Sequence, residues 1–166
     1  MHVSVSTVAL WLHILATIFV LGGYMFLSIF WWPVLSRATE DVRLQLRLLG
    51  RTLRRFFPMV VLALTVQVLT GGLYLLPPAY RAFGAGDEAA LATFHLLLIV
   101  KLTAVFLVLL LVPMQLFGMA TRLTRMDAGI YPFELHTFQR LTRRLQVVSY
   151  VIIVLLTLVV VLSTRL

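Results

Sequence analysis

The sequence predicts an all-α integral membrane protein, a four-helix bundle in one domain, and two observations lead to that fold class. Of the 166 residues, 61% are hydrophobic and 12% are charged, and the mean hydropathy is +1.03. Soluble domains are roughly 45–50% apolar and about 25% charged, so this chain has too little polar surface for one. Four apolar stretches also reach the roughly 20 residues needed to cross a bilayer. They cover approximately Ser6–Leu35, Phe56–Leu76, Ala89–Met119 and Leu141–Ser163.

The first apolar stretch is expected to remain in the mature protein. No Lys or Arg precedes it, and it is much longer than the roughly 7–15-residue apolar core of a signal peptide. Trp11 and Trp31 are separated by 20 residues, or roughly 30 Å of helix, which matches the spacing of the two aromatic belts of a bilayer. We therefore expect the first helix to span the membrane between them.

Basic residues predict the orientation of the helices. Eleven of the 14 Lys and Arg residues lie in two connections, Ser36–Arg55 and Ala120–Arg144, whereas Pro77–Glu88 contains only Arg81. The positive-inside rule makes the two basic connections cytoplasmic and places both termini outside. Since topology explains the net charge of +8, no nucleic-acid partner is expected.

Two connections carry further signals. Pro77-Pro78 ends the second helix, and the residues from Gly84 to Glu88 predict a turn followed by the acidic first turn of the third helix. In the first basic connection, about residues 42–55, a stripe of arginines lies opposite Leu46, Leu49 and Leu53. This pattern predicts an interfacial segment that contacts the anionic headgroups of the lipid bilayer.

Composition also limits the chemistry. The chain contains no cysteine, which excludes disulfides, thiolate metal sites and cysteine nucleophiles. It contains six Asp and Glu residues in total, so few carboxylates are available for acid–base catalysis. The candidates are therefore the ionisable side chains inside the membrane, which are costly to insert and mark functional sites.

Two histidines form the leading candidate site. His13 and His95 each lie about seven residues, or roughly 10 Å, inside the outer surface. If the first and third helices are neighbours, the two imidazoles face each other across a gap. Imidazole is a good haem ligand, and helix bundles hold such cofactors. We therefore predict a haem b whose iron is bound by His13 and His95. The alternative is that each is an interfacial histidine bonded to a neighbouring carbonyl. At helical spacing, Ala16, Thr17, Val20 and Tyr24 share the His13 face and leave space for the macrocycle.

Lys101 is the third candidate and lies near the bilayer midplane. A lysine at that depth costs roughly 2.5–3.5 kcal/mol to insert, so it needs a partner inside the bundle. The second helix presents a small and polar stripe, and Gln67 on that stripe and Tyr150 are expected partners. The stripe consists of Ala63, Gln67, Thr70, Gly71 and Tyr74. Lys101 is expected to bind an anionic or carbonyl-bearing substrate or to relay protons. The alternative is a packing lysine that is hydrogen-bonded to carbonyls. Gln67 and Tyr24 are expected beside the cofactor.

Several short motifs resemble a known family. They are Trp11-Leu-His13-Ile followed by Gly22-Gly23, Leu53-Arg-Arg-Phe-Phe-Pro58 leading to Leu69-Thr-Gly71, Lys101-Leu102, and Phe138-Gln-Arg140-Leu. Together they resemble the HemJ/CopD-like four-helix proteins of bacterial cytoplasmic (inner) membranes. HemJ-type members bind haem b and are associated with oxidation of protoporphyrinogen IX, and CopD-type members with copper uptake or resistance. By resemblance, His13 corresponds to the haem-ligand histidine of the first helix and Lys101 to the lysine of the third.

The sequence departs from the HemJ pattern at identifiable positions. Leu12 and its neighbours replace a lysine that precedes the histidine, Val20 replaces a tryptophan, and Thr142-Arg143-Arg144-Leu145 replaces Asn-Glu-x-Pro. The resemblance therefore implies the fold and the haem more directly than the reaction.

These residues and motifs leave three candidate functions. The first is a haem b redox protein that oxidises a quinol or protoporphyrinogen IX, with a porphyrin or quinone as substrate. The second is a copper-handling protein in which His13 is joined by methionines; the candidates are Met25, Met59, Met114 and Met119. The third is a non-catalytic membrane subunit. A homodimer or a larger membrane complex is compatible with each of them.

Overall fold

Residues 5–77 and 88–164 are described by a computed structural model, in which the ordered elements are all helical. The α-helices are α1 (Val5–Met25), α2 (Trp32–Ala38), α3 (Val42–Leu69), α4 (Glu88–Pro113), α5 (Thr121–Asp127) and α6 (Leu135–Ser163). Three π-helical segments, Phe26–Trp31, Thr70–Leu75 and Met114–Ala120, continue α1, α3 and α4 without a break. The turn predicted at residues 84–87 lies outside the described residues.

Four of the described helical rods are long and apolar enough to cross a membrane, as the sequence predicts. They are the first span (Val5–Ala38), the second span (Val42–Leu75), the third span (Leu91–Asp127) and the fourth span (Leu135–Ser163). Their outward surfaces carry large exposed apolar side chains, such as Leu62, Phe106 and Val154, which suit contact with lipid. The protein is therefore a multi-pass, all-α membrane protein.

The two ends of the bundle differ in character and are called the arginine end and the histidine end. The arginine end contains the short connections at residues 39–41 and 128–134 and the first turns of α3 and α6. The histidine end, at the opposite side, contains His13, Thr70 and His95.

At the arginine end, the helices continue beyond the apolar stretches of the sequence. The predicted interfacial segment at 42–55 is continuous with the second span, because α3 runs from Val42 through Pro58 to Leu69. The Asp41 carboxylate accepts hydrogen bonds from the amides of Arg43 and Leu44 and so caps this helix. The predicted amphipathic pattern is confirmed, since the leucines are buried while every arginine of the segment is exposed.

The spans are arranged so that the first and third lie diagonally in the bundle. The first span packs against the second and the fourth, and α4 packs mainly against α6. Along the described residues, α4 makes few close backbone approaches to α1 or α3. The condition under which His13 and His95 would face each other, that their helices are direct neighbours, is therefore not met.

Two apolar clusters hold the bundle together. One fills the arginine end, with Leu49, Phe57 and Leu123 at its centre. The other fills the middle of the bundle around Val20 and Ile152, both fully buried. The two clusters contain side chains from all four spans, so they fix the helices relative to one another.

Each π-helical segment places a polar side chain in the interior. Ser28, Thr70 and Gln115 are the buried polar residues of the three segments. A π-helical turn accommodates an extra residue, so it rotates the following side chains relative to a regular α-helix, and such turns are frequent at functional sites. Tyr74, predicted on the inward stripe of the second span, is instead 45% exposed.

Candidate functional site

His13 is the centre of a polar cluster between the first and second spans. Its Nδ1 atom lies 3.0 Å from the Thr70 hydroxyl, and the imidazole is half-buried. Thr70 begins the π-helical segment of the second span and is itself buried. Three residues of the predicted stripe, Gln67, Thr70 and Gly71, therefore face inward as predicted, because each faces His13 or its helix.

The hydrogen bonds of Thr70 define the tautomer of His13. The Thr70 hydroxyl has one proton, which it donates to the Val66 carbonyl at 2.6 Å. Its oxygen must therefore accept from the Nδ1–H of His13. The Gln67 carbonyl, 3.3 Å from the same hydroxyl, also interacts with the imidazole. With Nδ1 protonated, the neutral ring keeps its lone pair on Nε2, the state in which a histidine binds a metal.

A second hydrogen-bonded link holds the backbone at His13. Gln67 Nε2 donates to Thr17 Oγ1 at 2.6 Å, and that hydroxyl donates to the His13 carbonyl at 2.8 Å. Gln67 and Thr70 thus bind both the side chain and the helix turn of His13. Gln67, expected beside the cofactor and as a partner of Lys101, donates its amide to Thr17 and not to Lys101.

Gly71 allows the second span to approach the imidazole closely. A Cβ atom at this position would lie 3.1 Å from His13 Cε1, closer than most real Cβ contacts, whereas one at Gly72 would have open space. Only glycine therefore leaves the ring where it lies without displacement. The same feature makes the Thr70–His13 hydrogen bond possible.

Lys101 lies on the third span and belongs to the same region. It is half-buried. Neither expected partner reaches it: the Gln67 amide donates to Thr17, and the Tyr150 hydroxyl donates to the Ser28 carbonyl at 3.3 Å. Within the described part of the chain, no hydrogen bond from the Lys101 ammonium is found.

His95 is also half-buried, and its ring packs against Phe94 with the centroids 6.0 Å apart. Adjacent helices pack about 8–10 Å apart, and the diagonal between the first and third spans is longer. A flat group held between His13 and His95 would therefore have to occupy the interior of the bundle at the histidine end.

The interior at the histidine end has mostly small buried side chains. On the first and third spans they are Ala9, Ala16 and Ala104, with Phe94 as the large exception. Val20, expected on the cofactor face, is instead fully buried in the middle cluster. The predicted cofactor face is therefore filled by packed side chains at Val20, about two turns from His13.

Tyr24, also predicted beside the cofactor, lies elsewhere. It is 11 residues, or about 16 Å of helix, from His13, and only 1% of it is exposed. Its hydroxyl donates to Gln115 Oε1 at 2.9 Å, and the Gln115 amide donates to Ser149 and to the Leu145 carbonyl. This cluster joins the first, third and fourth spans near the arginine end and is separate from the His13 site.

The methionines do not assemble around His13. Met25, Met59 and Met114 are all at least 40% exposed, on the outer surface of the bundle. No group of three or more His, Asp or Glu side chains that would hold a metal ion occurs among the described residues.

Sequence reasoning did not identify the partners that orient these side chains. In the sequence, Thr70 and Thr17 are only members of small or polar faces that point inward. A threonine beside Gly71 is nevertheless a suitable partner for a histidine on a closely packed helix. Gln115 was not considered at all. As an uncharged polar side chain inside an apolar stretch, it carries the same signal that identified Lys101.

Comparisons with protein-family models, with characterised proteins and with solved structures found no match to this chain. The fold class therefore rests on the helices themselves. The functional assignment rests on the geometry around His13 and on the resemblance described above.

Proposed function

We propose that this chain is a haem b-binding redox protein of the membrane, which moves electrons between a reduced donor, a quinol or protoporphyrinogen IX, and an acceptor. The observation that carries the proposal is the hydrogen bond from His13 Nδ1 to Thr70, which leaves the Nε2 lone pair available. Metal-binding histidines generally donate their other N–H to a polar partner that fixes the tautomer and the ring orientation. His13 has this partner before any ligand is present.

The surroundings of His13 also fit a flat, apolar group. Gly71 brings the second span against one edge of the ring, and alanines occupy much of the neighbouring interior. His95 on the diagonal span is our candidate for the second ligand. When bound, the haem supplies reversible one-electron chemistry, and the protein supplies ligation, orientation and exclusion of water.

Lys101 is proposed to bind an anionic group of the cofactor or the substrate. A charged side chain in a membrane interior needs a compensating partner, and no hydrogen bond from the Lys101 ammonium is found among the described residues. It would flank the cofactor and not bind the iron, because six residues of helix rotate it about 120° from the direction of His95. Holding a substrate there would shorten the path for electrons to the haem.

Absorption spectra of the detergent-purified protein, oxidised and reduced, test the proposal directly. The wild type should show the bands of a low-spin, six-coordinate haem b, and His13→Ala should lose them. His136→Ala is the matched control, because His136 is exposed at the arginine end, and its spectrum should be unchanged. A wild type that stays colourless after reconstitution with haem, or a His13→Ala variant with the wild-type spectrum, would contradict haem binding at this site.

The role of His95 has its own outcome. His95→Ala should convert the spectrum to a five-coordinate, high-spin form while some haem is retained. An unchanged spectrum would remove His95 from the ligand set and leave His13 as the ligand.

The role of Lys101 is tested by reduction kinetics. Lys101→Met keeps the long apolar stem but removes the charge, so haem content should persist while reduction by quinols or porphyrinogens slows about tenfold or more, the loss of one charged hydrogen bond. Lys101→Arg should restore part of the rate. Wild-type kinetics in Lys101→Met would make Lys101 a structural residue.

The proposed location is a bacterial cytoplasmic membrane, with the arginine end in the cytoplasm. Reporter fusions at Arg47 and Met126 should be cytoplasmic and a fusion at Gly84 external. The opposite labelling would reverse the side from which the substrate reaches His13.

A further inference from the structure

A cavity at the arginine end lies apart from the proposed haem site. It encloses about 540 Å³ of space outside the protein atoms, part of it open to solvent. Its wall comes from α2, the first turns of α3 and the first turns of α6. Trp32 and Phe138 form an aromatic floor, with ring centroids 6.4 Å apart.

The polar side chains of the cavity are unusually uniform in chemistry. Arg143 supplies a cation, and Gln45, Gln139 and Gln146 supply amides. Gln139, Arg143 and Gln146 are spaced by four and three residues, so they lie on one face of α6. Among the described residues that line this cavity, none carries a carboxylate.

The carboxylates nearest in sequence are engaged in other contacts. Asp41 caps α3 through the amides of Arg43 and Leu44. Glu134 accepts a hydrogen bond from the Thr137 hydroxyl at 2.8 Å. Neither group lines the cavity, so Arg143 meets no carboxylate among the described lining residues. The arginines of this end outnumber the carboxylates in its sequence, Glu40 included, so the potential of the cavity is positive.

We propose that this cavity binds the phosphate headgroup of an anionic membrane lipid. A guanidinium pairs with phosphate through parallel hydrogen bonds, and the amides of Gln139 and Gln146 can bind the remaining phosphate and glycerol oxygens. The Gln45 amide already donates to the Thr39 carbonyl at 2.8 Å, so it has one N–H left for the lipid. The aromatic floor suits the apolar start of the acyl chains, since aromatic rings are favoured at the membrane interface. The lipid would come from the leaflet at the arginine end.

This site is more specific than general attraction of a basic surface to anionic lipid. General attraction depends on the number of arginines near the surface, about 1 kcal/mol for each, and treats Arg143 and Arg144 alike. Both are exposed, but Arg143 lines the cavity and Arg144 does not. The two arginines therefore form a matched pair for an experiment.

Native mass spectrometry of the detergent-purified protein, titrated with phosphatidylglycerol, measures the binding. Arg143→Gln should weaken the retained lipid about tenfold, as expected for a lost charged hydrogen bond, and Arg144→Gln less than twofold. Equal weakening in both variants would overturn the site in favour of general surface attraction. Equal binding of phosphatidylcholine by the wild type would also overturn it, because the phosphate charge would then not be recognised.

Free phosphate is the other source of the same chemistry. Inorganic phosphate at matched ionic strength should neither displace the phosphatidylglycerol nor raise the unfolding temperature of the wild type. If it does either as effectively as the lipid, the ligand is a soluble phosphate compound and the lipid assignment is wrong.

A folding defect in Arg143→Gln would not prevent the test. Arg143→Lys keeps the charge and the long stem but loses the fork of parallel donors, and should bind the lipid more weakly than the wild type. Arg144→Lys should bind as the wild type does. Wild-type binding by Arg143→Lys would show that the fork is not used and would overturn the proposed geometry.

Discussion

The arginine end and the histidine end of this bundle are built from different kinds of interior. At the arginine end, large side chains such as Phe57 and Leu123 fill the space between the helices. At the histidine end, alanines and the cluster of His13, Gln67 and Thr70 occupy the corresponding region. Tight packing fixes the positions of helices, whereas a binding site needs room and polar groups. The difference indicates that the arginine end does most to fix the helices, whereas the histidine end carries the polar groups of the proposed haem site.

The comparison extends to the polar side chains. Gln115 at the arginine side is fully used by partners in the protein, because its carbonyl and amide together make three hydrogen bonds. At the histidine end, Nδ1 of His13 lies 3.0 Å from the Thr70 hydroxyl, and no hydrogen bond to Nε2 is found among the described residues. A network in which every donor and acceptor is paired stabilises one arrangement of the helices. A metal instead needs an imidazole nitrogen whose lone pair is not used by the protein.

The largest effect on stability is expected at the arginine end. Phe57→Ala should lower the free energy of unfolding by about 3–5 kcal/mol, because it removes a buried aromatic ring from the centre of the cluster. Leu73→Ala, at a side chain that is 65% exposed on the second span, is the control and should change stability little. Denaturation of the detergent-solubilised protein, followed by circular dichroism, measures both. Equal losses would mean that the two ends do not differ in packing.

The fold was predictable because its signals are long and redundant. Four apolar stretches and the clustering of arginines determine the spans, and no single residue decides them. The π-helical segments were not predictable, since one extra residue in a turn has no distinct composition. In the segment of the second span, Thr70 is buried and Tyr74, four residues later, is 45% exposed.

The candidate site was predictable only in part, for a related reason. His13 and Lys101 are conspicuous because ionisable residues are rare inside membranes. Their partners are hydroxyls and amides, which occur throughout the chain, and choosing Thr70 over Tyr150 requires the helix positions. Tyr24 shares a helical face with His13 in the sequence, but three turns of helix place it in the Gln115 cluster.

The Gln115 cluster gives the next largest effect. Gln115→Leu should reduce the free energy of unfolding by about 1–3 kcal/mol, because it leaves the Tyr24 hydroxyl and the groups on the fourth span without their partner in a buried setting. Tyr24→Phe removes only one of the three hydrogen bonds and should cost less. The same denaturation experiment measures the losses, and the haem spectrum should be unchanged in both variants. If Tyr24→Phe lost the haem spectrum, the Gln115 cluster and the His13 cluster would be parts of one site.

Thr70→Val tests the orientation of His13 without removing the ligand. Because partners behind a metal ligand typically contribute 10–100-fold to affinity, haem binding should weaken by about that factor. Thr65→Val is the matched control, since the Thr65 hydroxyl also donates to the carbonyl four residues earlier but makes no contact with His13. Haem titration of the apoprotein distinguishes them. Equal effects would assign the loss to the helix and not to the histidine.

The smallest predicted effect compares two adjacent glycines. Gly71→Ala places a methyl group 3.1 Å from His13 Cε1, so the ring must move by a few tenths of an ångström. Gly72→Ala meets nothing within 4 Å, and both changes reduce backbone freedom in the unfolded chain similarly. We therefore expect Gly71→Ala to alter the low-spin haem signals in electron paramagnetic resonance while haem is retained, and Gly72→Ala to reproduce the wild-type signals. If the two variants gave the same spectrum, the imidazole would not depend on the close approach of the second span, and the histidine end would lose the feature that most clearly separates it from the arginine end.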